Sequence, residues 1–156
     1  MINKTKITVV GSGYVGMSLA VLLSQNNEVT VLDIDSGRVD KINNNLSTVA
    51  DAEIELFLSE KQLSITATTD KQIAYEGASF VIVATPTNYD IENNYFDTSS
   101  VDDVVGDALE LNKQAYVVIK STIPVGHTKL LQERYTTNRI IFSPEFLREG
   151  RALKDN

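Results

Sequence analysis

A glycine-rich segment near the start of the chain, Gly11-Ser-Gly-Tyr-Val-Gly16, has the spacing G-x-G-x-x-G. A β-branched run comes directly before it, and apolar residues recur at helical spacing after Tyr14. The sequence therefore predicts a strand, a tight turn and a helix in that order. In such a unit Gly11 permits the turn, Gly13 lets the backbone approach a diphosphate, and Gly16 lets the helix pack closely on the strand.

An acidic residue follows at the distance that a dinucleotide site requires. Asp33 stands at the end of the second predicted strand, about 20 residues after the glycine turn. Its carboxylate can accept both hydroxyls of an adenosine ribose and would repel a 2′-phosphate, which favours NAD over NADP. Arg38 could accept such a phosphate, but the position of Asp33 should decide the preference. We therefore predict an NAD site, in which the start of the helix offers free N–H groups to the diphosphate.

The rest of the chain alternates between strand-like and helix-like segments, which predicts a mainly parallel sheet with helices on both faces. We expect an α/β, doubly wound fold of Rossmann type, with residues 1–156 forming one domain. The predicted strands are 6–10, 28–32, 64–68, 80–84, 116–119 and 139–142, and the predicted helices are 14–24, 36–44, 52–60, 101–111 and 128–135. A capping box at Ser100-Val-Asp-Asp103 is expected to start the fourth helix.

Composition excludes several classes of function. The 156 residues carry a net charge of −7, so nucleic acid and anionic membranes are not expected as partners. No cysteine is present, which excludes disulfides and a thiol nucleophile within this sequence, and a single histidine excludes a histidine metal cluster. That residue, His127, is interpreted as solvated. Because of these residue counts, no bound metal is expected. Neither a membrane span nor a secretory signal is visible in the sequence, so we expect a cytoplasmic protein.

Two loops after predicted strands could carry function, because ligands of open α/β sheets bind at the carboxyl ends of strands. The segments Thr85-Pro-Thr87 and Ser121–Gly126 either end their strands or contact a ligand. The connection 85–99 is long and contains Tyr89, Tyr95 and Phe96, which pack either on their own domain or against a partner.

The segment Ser143–Gly150 carries the signals of a short helix. Ser143 can serve as the N-cap, Pro144 fits the first helical position, and Gly150 can end the helix. Glu145 and Glu149 would then share one face. They are either an exposed pair of like charges or a pair of carboxylates that serves a proton transfer.

Four segments together resemble the UDP-glucose/GDP-mannose dehydrogenase family: Gly11–Gly16, Ala84-Thr-Pro-Thr87, Lys120-Ser-Thr-Ile-Pro-Val-Gly126 and Phe142-Ser-Pro-Glu-Phe-Leu-Arg-Glu-Gly150. They cover essentially the whole chain in order. The resemblance implies a homodimeric enzyme that oxidises UDP-glucose to UDP-glucuronate with two NAD⁺, through a thiohemiacetal and a thioester on cysteine. Members that act on GDP-mannose or UDP-N-acetylhexosamines are the alternative.

The resemblance also implies roles for individual residues. Thr122 would position a water and Glu145 would assist thioester hydrolysis, which makes them the catalytic candidates. The expected NAD contacts are Gly11, Gly13, Tyr14, Val15, Gly16, Asp33, Arg38, Thr87, Thr122 and Glu149. The expected contacts to the sugar nucleotide are Glu145, Phe146, Leu147, Arg148 and Glu149.

The family's cysteine and its lysine and asparagine partners would lie beyond Asn156. We therefore expect an N-terminal part of a longer enzyme, without a closing helix, that binds NAD but is inactive alone. The alternative from another class is a stand-alone NAD-sensing module. The enzyme hypothesis predicts that the gene continues into a cysteine motif, and the sensing hypothesis predicts that it ends here.

Overall fold

The computed structural model describes residues 3–156. The strands in this range are β1 (Lys6–Val10), β2 (Glu28–Leu32), β3 (Ile65–Thr68), β4 (Phe80–Val83), β5 (Asn88–Asp90), β6 (Tyr95–Asp97), β7 (Tyr116–Ile119) and β8 (Ile140–Phe142). The helices are α1 (Tyr14–Leu23), α2 (Ser36–Asn43), α3 (Ala52–Glu60), α4 (Lys71–Tyr75), α5 (Ser99–Leu111), α6 (His127–Arg134) and α7 (Ala152–Asp155).

Six strands form one parallel sheet in the order β3-β2-β1-β4-β7-β8. The chain therefore builds outward from β1 through β2 to β3, and then crosses back to lay β4 on the other side of β1. This reversal opens a crevice at the carboxyl ends of β1 and β4, which is where open α/β sheets bind ligands. The predicted Rossmann-type fold is confirmed.

The two faces of the sheet bury separate apolar clusters, because neighbouring residues on a strand point to opposite faces. Val9 packs with Met17 and Val21 of α1 on one face. Val10 packs with Val105 of α5 and Leu131 of α6 on the other. The helices thus cover both faces, as predicted. Within residues 3–156, no helix has the length and apolar character that crossing a bilayer requires.

The predicted helix over 143–150 is wrong. Residues 143–148 have no regular secondary structure, and a turn follows at Glu149 and Gly150, where Gly150 has a left-handed φ of +75°. The only helix in the region is the single turn α7, which also corrects the expectation that no closing helix exists. The local capping residues do not determine the conformation of this segment, because its side chains bond to partners outside it, as described below. Glu145 and Glu149 consequently share no helix face.

The start of α5 and the loop before it also differ from the prediction. The helix begins at Ser99, and the Asp97 carboxylate accepts from the Ser99 N–H (3.0 Å) and hydroxyl (2.6 Å), so Ser100 does not start a capping box. The connection 85–99 contains the antiparallel hairpin β5–β6, in which the rings of Tyr89 and Phe96 lie 4.7 Å apart.

Candidate functional site

The turn after β1 needs glycine at its first and last positions. Gly11 has a φ of +98°. A Cβ there would lie 2.6 Å from the carbonyl oxygen of Ala84, the residue directly after β4. A Cβ on Gly16 would lie 1.9 Å from the carbonyl oxygen of Gly11. The first contact joins the turn to the neighbouring strand, and the second seats α1 on the turn. Both contacts exclude any side chain.

Gly13 is different, because a Cβ at this position would meet no atom within 4 Å. Gly13 is the N-cap of α1, and within residues 3–156 no side chain caps this helix and no acid lies in its first turn. The N–H groups around Tyr14 and Val15 therefore face an open space with positive helix-dipole potential. This space fits the diphosphate of a dinucleotide.

The carboxylate of Asp33 is bonded to the glycine turn. Its Oδ2 accepts from the backbone N–H (3.0 Å) and the hydroxyl (2.5 Å) of Ser12, and its Oδ1 accepts from the N–H of Asp35 (2.9 Å). Asp33 follows β2 directly and is half-buried. The acid and the turn thus form one rigid unit at the carboxyl edge of the sheet.

Two further side chains bond to the carbonyl oxygen of Ser12. The Thr48 hydroxyl donates to it at 2.6 Å and the Arg38 guanidinium at 3.4 Å. Arg38 is exposed on the first turn of α2, which the Asp35 carboxylate caps. Arg38 and Asp33 therefore both bond to Ser12 of the glycine turn. The sequence does not predict the contact of Thr48, because this residue lies in an irregular connection and belongs to no recognisable motif.

The loops after β4 and β7 are tied together at the same edge. The Ser121 hydroxyl donates to the carbonyl oxygen of Thr85 (2.6 Å), and the Ser100 hydroxyl donates to that of Pro86 (2.8 Å). Thr87 is left half-buried and Thr122 exposed. Both predicted ligand residues therefore lie on the side of the sheet that carries the glycine turn.

Glu145 is the centre of a polar cluster that joins β7, α1 and the end of the chain. Its carboxylate lies 3.0 Å from the ammonium of Lys120, which also donates to the Ser143 hydroxyl at 3.2 Å. The side-chain amide of Asn156 stands between Glu145 and Ser18. A carboxylate accepts only, so the amide nitrogen faces Glu145, donating at 3.0 and 3.1 Å, while its oxygen accepts from the Ser18 hydroxyl at 2.6 Å.

The other residues of the predicted sugar-nucleotide segment are separated from Glu145. Phe146 is 89% exposed, Leu147 is half-buried, and Glu149 is exposed. The Arg148 guanidinium binds Asp155 through two hydrogen bonds (2.9 and 2.7 Å). The pKa of Asp155 lies far below its usual range, chiefly because of its side-chain hydrogen bonds from Arg148, and that of Arg148 is raised by the same bonds. Glu149 makes no hydrogen bond in the described range.

His127 is not solvated, which corrects the sequence interpretation. Its Nε2 lies 2.6 Å from Asp102 of α5, and its side chain is 12% exposed. The Arg134 guanidinium approaches the same carboxylate at 3.3 Å. His127 therefore links the start of α6 to α5. The sequence could not show this contact, because its partners are 25 residues apart.

Comparison with known proteins agrees with this geometry. The sequence model of the UDP-glucose/GDP-mannose dehydrogenase family, NAD binding domain, matches residues 5–156. The UDP-glucose 6-dehydrogenase of Streptococcus pneumoniae is 52% identical over 151 residues, covering 97% of this chain, and that of Campylobacter jejuni is 45% identical over 153 residues. The chain spans only 38% and 39% of these two relatives.

Solved structures give the same result. A GDP-mannose dehydrogenase from Pseudomonas aeruginosa superposes with a TM-score of 0.81 at 26% identity, covering 96% of this chain and 38% of that one. A UDP-glucose dehydrogenase from Pyrobaculum islandicum gives 0.80 at 25% identity, covering 98% and 38%. Sequence, fold and glycine turn thus agree, and the chain belongs to the UDP-glucose/GDP-mannose dehydrogenase family, of which it forms an NAD-binding domain.

Proposed function

We propose that this chain binds NAD at the glycine turn and works within a UDP-glucose 6-dehydrogenase, which oxidises UDP-glucose to UDP-glucuronate with two NAD⁺. The observation that carries the proposal is the common edge of the sheet on which Thr122, Glu145 and the glycine turn with Asp33 lie. The two relatives named above, which carry that name, support the choice of substrate.

NAD, when bound, accepts the hydride that leaves the alcohol carbon of the sugar. The chain's own part is to bind and orient it. We assign the diphosphate to the open space beside Gly13 and the adenosine ribose to Asp33, with Arg38 beside it. The complete set of proposed NAD contacts is Gly11, Gly13, Tyr14, Val15, Gly16, Asp33, Arg38, Thr87, Thr122 and Glu149.

We assign the hydrolytic half of the reaction to Glu145 and Thr122. The Lys120 ammonium and the Asn156 amide fix the Glu145 carboxylate by charge-assisted hydrogen bonds, so it can assist attack by a water. The exposed Thr122 hydroxyl can hold that water. The segment Glu145–Glu149, with exposed Phe146, is proposed to contact the sugar nucleotide.

The proposal also covers the oligomeric state of the enzyme and its location in the cell. The exposed aromatic hairpin β5–β6 supports assembly with a second subunit, and we propose a homodimer for the whole enzyme. Because the two proposed substrates are soluble nucleotides, we place the activity in the cytoplasm.

The test is a chimera in which this chain replaces the segment that it matches in the pneumococcal relative. We expect NADH formation with UDP-glucose at a kcat/KM within about tenfold of that relative, because 52% identity should preserve the edge of the sheet. GDP-mannose and UDP-N-acetylmannosamine should react at least about a hundredfold more slowly. A chimera that prefers either of these sugars would contradict the proposed substrate.

A further inference from the structure

We propose that Ser12 leaves Asp33 a single acceptor site for the adenosine ribose, so that the chain recognises one ribose hydroxyl rather than two. The inference rests on the proposed assignment of the ribose to Asp33. It changes the expectation from the sequence, which gave the carboxylate both hydroxyls. It also makes Ser12, the residue between the first two glycines of the motif, a positioning residue.

The count of acceptor sites carries the proposal. A carboxylate offers about four lone-pair sites, two on each oxygen. The N–H and the hydroxyl of Ser12 use both sites of Oδ2 on Asp33, at 3.0 and 2.5 Å. The N–H of Asp35 uses one site of Oδ1 at 2.9 Å. One site therefore remains, on Oδ1.

The backbone of Ser12 is held in place beside Asp33. Ser12 is 1% exposed, and its carbonyl oxygen accepts hydrogen bonds from Thr48 (2.6 Å) and Arg38 (3.4 Å). The Ser12 hydroxyl donates to a charged acceptor, and such hydrogen bonds are stronger than neutral ones. A ribose hydroxyl would have to displace this bond to reach Oδ2. The remaining site on Oδ1 is available without any displacement.

An acid at the end of this strand binds the ribose 2′-hydroxyl in dinucleotide-binding folds. We therefore assign the free site on Asp33 to the 2′-hydroxyl. The 3′-hydroxyl then has no acceptor on Asp33. This predicts unequal effects of removing the two hydroxyls, whereas a carboxylate that accepts both would show similar effects.

The experiment is calorimetric titration of the full chain with NAD and with its analogues lacking the 2′- or the 3′-hydroxyl of the adenosine ribose. We expect the 2′-deoxy analogue to bind at least about tenfold more weakly, as for loss of a hydrogen bond to a charged group. The 3′-deoxy analogue should lose less than about threefold. The unmodified chain alone decides this comparison.

Two variants test the role of Ser12. Ser12→Ala frees both the hydroxyl's site on Oδ2 and the space beside it, so the 3′-deoxy analogue should now also bind several-fold more weakly than NAD. Thr48→Val, the control, removes a hydroxyl that bonds to the same residue but not to Asp33. It should loosen the turn and keep the pattern of the unmodified chain.

Equal losses for both analogues in the unmodified chain would overturn the inference while leaving the NAD site intact. An unchanged pattern in Ser12→Ala, or the same change in Thr48→Val, would also overturn it. If NAD itself did not bind, the proposed site would be wrong, and the inference with it. These outcomes separate the two proposals.

Discussion

The ammonium of Lys120 lies 3.0 Å from the carboxylate of Glu145, and the two side chains are only 15% and 13% exposed. Lys120 directly follows β7, and Glu145 lies beyond the end of β8, so the pair joins these two neighbouring strands at their carboxyl ends. An ion pair at this depth depends on both partners, because removal of one leaves the other charge without compensation.

Replacement Lys120→Met should therefore lower the free energy of unfolding by about 2 kcal/mol, less than for a fully buried pair. For a chain of this size, the melting temperature should fall by roughly 4–8 °C, which calorimetry measures. The control Lys129→Met breaks an ion pair with Glu133 whose side chains are 80% and 71% exposed, so it should cost less than about 0.5 kcal/mol. Equal effects of the two replacements would contradict the importance of burial.

The glycine motif allows a matched pair of variants. Gly13→Ala places its Cβ in open space, so it should cost only about 0.5 kcal/mol as a poorer N-cap, while blocking the approach of a diphosphate. Gly16→Ala forces its Cβ against the carbonyl oxygen of Gly11 and should destabilise the fold by several kcal/mol. Thermal melts and NAD titrations separate the two effects. If Gly13→Ala bound NAD as tightly as the unmodified chain, the assignment of the diphosphate to this space would be wrong.

Cofactor preference should depend on the charge of Asp33. The unmodified chain should bind NAD at least about tenfold more tightly than NADP, because a carboxylate repels the 2′-phosphate. Asp33→Asn should weaken NAD binding and narrow that ratio, and calorimetry with both cofactors measures it. Asp40→Asn removes an exposed carboxylate on α2, the helix that follows Asp33, and serves as the control. Equal dissociation constants for the two cofactors in the unmodified chain would refute the assignment.

The parts of the fold that the sequence predicts best are those set by local pattern. The unit β1–α1–β2 has a β-branched run, a glycine turn and apolar residues at helical spacing, and its bounds agree with the structure to within one residue. The hairpin β5–β6 escapes prediction because each strand has three residues, too few to show a period.

In the site, too, residues placed by local pattern can be predicted and contacts between separate parts of the chain cannot. Asp33 is predicted from its distance to the glycine turn, whereas the contacts of Lys120 and Asn156 with Glu145 join distant parts of the chain. The helix predicted over 143–150 is wrong because capping signals describe only local preferences. The bonds of Glu145 to Lys120 and of Arg148 to Asp155 hold the segment in a non-helical conformation instead.

The hairpin β5–β6 should mediate self-association of this chain. Ile91 at its tip is 83% exposed, and Tyr95 is also exposed, while Tyr89 and Phe96 pack on each other. Tyr95→Glu should weaken association about tenfold or more in light scattering, because it places a charge in an apolar contact. Leu56→Glu, which changes an exposed apolar residue of α3, is the control. A chain that stays monomeric at high concentration would contradict this prediction.

The chain alone should bind NAD without oxidising UDP-glucose. The proposed reaction needs a thiolate to form the thioester, and this sequence has no cysteine. Within residues 3–156 the side chain of His127 bonds to Asp102 at 2.6 Å and makes no hydrogen bond to a hydroxyl that it could activate in place of a thiol. Hydride transfer further requires the sugar to be held at about 3–3.5 Å from its acceptor, which five residues from 145 to 149 cannot achieve alone.

Two measurements on the purified chain test this last prediction. NAD at about a hundred times its dissociation constant should stabilise the fold by about 2.7 kcal/mol, which raises the melting temperature by roughly 5–10 °C. Gly13→Ala should abolish this shift and serves as the control. Absorbance should show no sustained NADH formation with UDP-glucose. Sustained turnover by the chain would mean that the oxidation needs no cysteine, and a missing thermal shift would mean that the glycine turn does not hold NAD.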